Sequence, residues 1–151
     1  MSEATTEWRA GRVPLVSAVS YAEGKMILLA IERYSHKAFV RALAETTLES
    51  FLTFNPDWWA EVTPTVRLDL PRGDYVAAGE GPNGSDGFVV LCNQRGELRF
   101  SIFLDGSNPF VQLSFDAVSR LLTASNNLGE RWVFDIERPW IVSVEAGDVQ
   151  Q

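Results

Sequence analysis

The segment Glu97–Asp105 reads Glu-Leu-Arg-Phe-Ser-Ile-Phe-Leu-Asp, and it decides how the second half of the chain is predicted to fold. Apolar and polar residues alternate through it, with Phe103 as the exception. This two-residue period is typical of a β-strand that buries one face. The buried face is predicted to carry Leu98, Phe100, Ile102 and Leu104.

Strand-like segments continue on both sides of this one, from Asp74 to Glu145. Turn residues separate them about every ten positions, as in the glycine-rich loop 80–87 and the turn 105–109. Neighbouring strands joined by short turns pair antiparallel. The pattern therefore predicts an antiparallel β-meander of about six to eight strands.

Upstream, the segment Ser35–Phe54 has the apolar spacing of an amphipathic helix. Lys37, Arg41 and Glu45 recur at four-residue intervals on the opposite side, and Ser35 is a suitable capping residue. An apolar helical stripe needs burial, so this helix is expected to cover one face of the sheet. The predicted fold class is α+β, with the meander packed against one main amphipathic helix.

The remaining segments give shorter elements. Arg12–Ser20 is rich in β-forming residues, and Lys25–Tyr34 is predicted as a strand, although its Met, Leu and Ala residues leave a helix open. Asn55 before Pro56 indicates a short helical turn over Pro56–Glu61. Alternation predicts a strand over Thr65–Leu70.

The length of 151 residues and the 46% hydrophobic content are those of one globular domain. We expect a single α+β domain over residues 11–146, with flexible termini at 1–10 and 147–151. The N-terminus lacks the features of a secretory signal, and the longest apolar run falls short of the ~20 residues that span a bilayer. A cytoplasmic location is therefore expected.

The formal net charge of −7 argues against nucleic acid and membrane surfaces as partners, because both attract basic faces. It favours encounter with a basic protein. Cys92 is the only cysteine and lies in an apolar run, where a buried core thiol is expected. His36 is the only histidine and is interpreted as a surface or capping residue, so no metal and no cofactor is expected.

No spacing of residues predicts a catalytic group. Acidic side chains cluster in or near turns. The adjacent residues Trp58 and Trp59 are unusual, because neighbouring residues on a helical turn point about 100° apart and rarely both become buried. An exposed tryptophan is a candidate anchor for a protein or a sugar. The candidate binding residues are Asp57, Trp58, Trp59, Glu80, Asp86 and Asp105.

Three functions stay open. The favoured hypothesis is a non-catalytic, acidic protein-binding domain, such as a cytoplasmic immunity or antitoxin-type inhibitor of a basic partner. The alternatives are a small-molecule or carbohydrate-binding β-domain with an aromatic-lined pocket, and a hydrolase that uses two carboxylates in one cleft. A meander also leaves edge strands, so a homodimer formed through such an edge is a further possibility.

Overall fold

A computed structural model describes residues 2–35 and 37–146 of the chain. Within these residues there are thirteen strands and only two short helices, α1 (Glu3–Arg9) and α2 (Leu48–Phe54). The strands are β1 (Arg12–Pro14), β2 (Ala18–Tyr21), β3 (Lys25–Tyr34), β4 (Lys37–Thr47), β5 (Trp59–Glu61), β6 (Thr63–Asp69), β7 (Tyr75–Glu80), β8 (Gly87–Cys92), β9 (Leu98–Leu104), β10 (Phe110–Asp116), β11 (Leu121–Asn126), β12 (Arg131–Asp135) and β13 (Val142–Glu145).

These strands form three antiparallel sheets, so the predicted α+β fold is wrong. The largest sheet has seven strands in the order β4-β3-β2-β9-β8-β7-β6. A second sheet has four strands in the order β10-β11-β12-β13, and β1 pairs with β5 in a two-stranded ribbon. Consecutive strands do pair antiparallel through the C-terminal half, but the chain changes sheets between β9 and β10.

Two apolar cores lie on opposite faces of the seven-stranded sheet. Between the two large sheets, the Phe110 ring packs against Trp132 and Phe134 with centroids 6.1 and 6.5 Å apart. We call the cluster between the two large sheets the inner core. The outer core lies on the other face of the seven-stranded sheet, where Phe88 and Met26 are buried beneath the ribbon and the two helices. The Trp8 ring of α1 lies 6.0 Å from Phe88. All six residues of β8 are buried because both faces of this strand are covered.

The edges of the two large sheets lie close together. β10 runs beside β6, where the Thr65 hydroxyl donates to the Phe110 carbonyl at 3.3 Å, and β13 runs beside β4. The two sheets therefore form a sandwich around the inner core, and each outer strand of one sheet lies beside an outer strand of the other. Homodimerisation through an edge strand stays a prediction.

The predicted helix over Ser35–Phe54 is the main error of the sequence analysis. Its first part is strand β4, which pairs with β3, and Leu43 is the extra residue of a β-bulge. A four-residue spacing of charges is also a multiple of the strand period of two, so it does not distinguish the two structures. Phe39 and Leu43, expected on the buried helical face, are 47% and 51% exposed.

The capping residue of the true helix α2 lies twelve residues later than predicted. The hydroxyl of Thr47, instead of Ser35, accepts from the Ser50 amide at 3.1 Å and caps it. The helical turn predicted over Pro56–Glu61 is also wrong, because Trp59–Glu61 is strand β5. The strand predicted at Lys25–Tyr34 is confirmed, whereas Arg12–Ser20 divides into β1 and β2.

The N-terminal segment forms α1, in which Ala4 and Thr5 are buried and Ser2 caps the helix. The domain boundaries stay a prediction, and residues 147–151 and His36 lie outside the described residues. Over the described ranges, neither helix has the length and apolar content needed to cross a membrane.

Cys92 lies at the end of β8 in the outer core and is fully buried, as expected from its apolar run. Burial raises the pKa of its thiol, because a thiolate loses its hydration there. The cysteine is therefore a packing residue, and its environment disfavours the nucleophilic form.

Candidate functional site

Three of the six candidate residues lie together in one cleft. Trp58, Asp86 and Asp105 line a cleft of about 390 Å³, which we call the Trp58 cleft. Asp57 is exposed beside it in the chain, and Glu80 is exposed at the end of β7. Trp59 turns the other way and packs partly buried against the outer core. The two adjacent tryptophans therefore have different surroundings.

Four segments far apart in sequence meet at this cleft. They are the β1–β2 connection, the residues after α2, the β7–β8 loop and the turn after β9. The amide of Asp105 donates to the Ser17 hydroxyl at 2.9 Å, which joins two of these segments. The amide of Asn108 donates to the Ser85 carbonyl at 2.8 Å, which holds the β7–β8 loop against the turn. The carboxylates are therefore positioned by hydrogen-bonded loops.

Asp86 is the unusual residue of the cleft, because its side chain is fully buried although it belongs to a loop. Its Oδ2 accepts from the Asn83 amide at 3.3 Å, while its Oδ1 has no hydrogen-bond partner among the described residues. A Cβ on Gly81 would lie 2.6 Å from the Asp86 Cβ, so only glycine lets the loop close this tightly. A buried carboxylate oxygen without a donor is costly.

The electrostatic surroundings disfavour a charge on Asp86. Burial raises the pKa of the Asp86 carboxyl, and the neighbouring Asp105 carboxylate raises it further, against a smaller lowering by the Asn83 amide. Within the described ranges, no lysine or arginine lines the cleft. Two carboxylates are both acceptors, so a direct link between them needs a shared proton.

Two exposed aromatic residues, Phe54 and Trp58, lie four positions apart in the chain; together we call them the aromatic patch, and Trp58 also lines the cleft. Phe54 is 81% exposed at the end of α2, and Trp58 is 48% exposed with its ring 6.3 Å from that of Phe51. Asp57 has a φ of +64°, a left-handed turn conformation that precedes the exposed tryptophan. Phe54 was missed as a site residue because it was assigned to the predicted helix. Its position directly before Asn55-Pro56, where a helix must end, was the available signal.

A second exposed apolar region lies on the β3–β4 hairpin. Tyr34 is 61% exposed, and its ring lies 6.0 Å from that of Phe39. Glu32 accepts from Arg41 at 2.9 Å and from the Tyr34 hydroxyl at 3.0 Å. The acid on this hairpin is thus already paired with a base, unlike the acids of the Trp58 cleft.

Another concave region lies between the two large sheets at one end of the sandwich and has a volume of about 420 Å³. Its charged side chains are also paired. Arg99 lies 2.6 Å from Asp74, and Arg120 lies 3.5 Å from Glu137. These contacts satisfy the charges within the protein.

The Trp58 cleft has the chemistry of a site for protons or cations. No group of three or more histidine, cysteine or acidic residues suited to a metal occurs in the described part of the chain.

Comparisons with family models, curated proteins and solved structures found no match to this chain. The function must therefore be inferred from the site.

The buried Asp86 gives a pH-dependent prediction. Because its pKa is raised in the folded protein, stability falls as the pH rises from the ordinary carboxyl range through that raised pKa. Asp86→Asn cannot ionise, so this fall should disappear and the variant should be about 1 kcal/mol more stable at neutral pH. Urea unfolding across the acidic range measures both effects.

Glu80→Gln is the matched control for this substitution, since Glu80 is exposed at the end of β7, next to the loop that holds Asp86. Its effect on the free energy of unfolding should stay within about 0.5 kcal/mol at each pH. An Asp86→Asn variant less stable than wild type at neutral pH would show that Asp86 is ionised and well satisfied.

Proposed function

We propose that this chain is a non-catalytic binding domain that docks a basic protein partner on the aromatic patch and the Trp58 cleft. The observation that carries the proposal is the exposure of two aromatic side chains, Phe54 and Trp58, with Trp58 in the same cleft as two acids. No lysine or arginine is among the described residues that line this cleft. Exposed aromatic residues are the usual anchors of protein interfaces. The partner is expected to be basic, because the net charge is −7 and the two acids of the cleft have no basic residue among its described lining residues.

The packing of the sandwich speaks against a small-molecule site in its interior. Trp132, Phe110 and Phe134 are fully or almost fully buried and fill the space between the sheets. A ligand pocket needs an open, concave volume, and the concave end of the sandwich has its charges paired internally. The surface is therefore the better supported place for recognition.

A carboxylate-based hydrolase remains a second candidate on one specific observation. Asp86 and Asp105 interact in one cleft, and the pKa of Asp86 is raised, as in an acid pair that shares a proton. A solvent-filled gap for water and substrate between them would be needed for glycoside hydrolysis.

Selection from a random peptide library displayed on phage tests the proposal. We expect enriched peptides to carry a net positive charge and to bind the Phe54→Ala/Trp58→Ala variant at least about 30-fold more weakly, since hot-spot residues contribute roughly 2 kcal/mol or more. Fluorescence anisotropy with the purified peptides measures the dissociation constants. Thermal melts establish that the variant is folded.

The matched control is Val118→Ala/Leu128→Ala, which removes two side chains that are 95% and 68% exposed elsewhere. It should bind the selected peptides like wild type. If no basic peptide is enriched, or if binding survives the loss of both aromatic side chains, the proposal is wrong. The narrower idea of an immunity or antitoxin role rests on the same acidic net charge, and the cytoplasmic location stays a prediction.

A further inference from the structure

We propose that the Trp58 cleft binds one cationic group on an apolar stem, a guanidinium or ammonium group, between the Asp86 and Asp105 carboxylates and the Trp58 ring. This inference rests on the proposed function and names the contact that a basic partner would make. The same chemistry is carried by an arginine or lysine side chain and by a free organic cation. The experiment below separates these sources.

Charge is the first argument. Asp86 is fully buried, its Oδ1 lacks a partner among the residues described, and it lines the cleft. Asp105, exposed at the mouth, supplies a second carboxylate and no donor. An organic cation would bring N–H donors to both groups and neutralise both charges, which no side chain lining the cleft does.

The walls of the cleft favour an organic cation over a metal ion. Leu15, Val16, Phe103 and Trp58 supply apolar surface next to the carboxylates. A calcium ion needs six to eight oxygen ligands in close array. The volume of about 390 Å³ suits a side chain with a hydrocarbon stem, whereas a bare metal ion would leave most of it unfilled.

Trp58 completes the site, since a cation over an indole face is attracted by its quadrupole. The ring is half exposed and makes a T-shaped contact with the ring of Phe51, with an interplanar angle of 75°. Part of the Trp58 ring is therefore accessible to a ligand in the cleft. Among the described residues, the cation–π pairs use the rings of Tyr21, Phe39, Tyr75 and Phe115, so none of them places a cation on Trp58.

Binding should be linked to proton release. Asp105 is the titratable group that faces Asp86, and Asn83 is the polar neutral neighbour. A shared proton and a bound cation compete for the same carboxylates, so affinity should fall as the pH is lowered through the raised pKa of Asp86.

The test is an NMR titration of the ¹⁵N-labelled protein with Nα-acetyl-L-arginine amide. Nα-acetyl-L-citrulline amide, its uncharged analogue of similar shape, is the control ligand. We expect saturable shifts of the Trp58 indole N–H and of the amides of residues 83–86 and 105, with at least tenfold weaker binding of the citrulline compound. Asp86→Asn/Asp105→Asn should weaken the arginine compound at least tenfold, and Glu61→Gln, which removes an exposed carboxylate on β5, should not.

The outcomes are distinguishable from failure of the proposed function. Equal shifts with both compounds, or shifts outside the cleft, would overturn the cation site. So would calcium chloride acting on the same signals at a lower concentration than the arginine compound. Basic peptides that need Phe54 and Trp58 but ignore the Asp86→Asn/Asp105→Asn change would refute this inference alone. Binding of the arginine compound without any selected peptide would support the cation site and refute a protein partner.

Discussion

Trp132→Ala should lower the free energy of unfolding by about 3–5 kcal/mol, the usual cost of removing a large buried aromatic side chain. Trp132 is fully buried on β12, and its ring packs at 71° against that of Phe110 in the core between the two sheets. The substitution leaves a cavity that strands on both sides cannot fill without moving. For a chain of this length, the melting temperature should drop by roughly 6 to 20 °C.

Trp58→Ala is the matched control because it removes the same atoms from a half-exposed position. Its cost should stay below about 1 kcal/mol, as for most surface substitutions. Urea or thermal unfolding of both variants measures the two losses in the free energy of unfolding. Equal losses for the two tryptophans would mean that the inner core is not centred on Trp132.

Gly79→Ala should destabilise the protein by about 3 kcal/mol, at the upper end of the range for overpacking. Gly79 lies on β7 opposite the irregular pairing at Pro64, and an added Cβ would overlap the carbonyl oxygen of Thr63. It would also lie 2.9 Å from the Thr65 amide nitrogen. Both groups are backbone, so β6 would have to move away from β7.

The same movement should weaken the contact between the sheets, because Thr65 donates to the Phe110 carbonyl on β10. Gly84→Ala separates steric overlap from backbone strain, since Gly84 has a φ of +71° and no atom within 4 Å of an added Cβ. Its cost should be only about 1 kcal/mol. A Gly79→Ala variant within about 0.5 kcal/mol of wild type in chemical denaturation would contradict the described packing of β6 on β7.

The sequence predicts individual strands well where a local pattern specifies them. The alternation in Glu97–Asp105 marks β9, and turn residues mark its two ends. The change of sheet between β9 and β10 leaves no such mark, because a two-residue period does not reveal which sheet a strand joins. The continuous apolar run of β8 is typical of a strand covered on both faces, and β8 lies between the two cores.

The helix error has a specific physical cause. β4 is the outermost strand of its sheet and has mostly exposed side chains, so burial does not impose clear alternation on it. The bulge at Leu43 then shifts the phase of the remaining pattern. Together, these features give apolar spacings of three and four residues, which mimic a helix.

The candidate site was predictable only as separate residues. Trp58, Asp86 and Asp105 were identified from residue type and turn context, but their convergence depends on contacts between distant loops. The burial of Asp86 leaves no sequence signal, since glycine and polar residues around it are typical of an exposed turn. Both Asp86 and the Phe103 ring of β9 approach Gly81 closely, so the loop packs tightly against β9, which is a tertiary effect.

The footprint of a selected basic peptide shows whether the partner docks on the aromatic patch and the Trp58 cleft. Amide hydrogen exchange of the protein with and without the peptide would locate the binding surface. We predict protection confined to residues 48–61 and to the loops around Asp86 and Asp105. Protection on the β3–β4 hairpin around Tyr34 and Phe39, with the Trp58 cleft unchanged, would refute docking of the partner at the cleft.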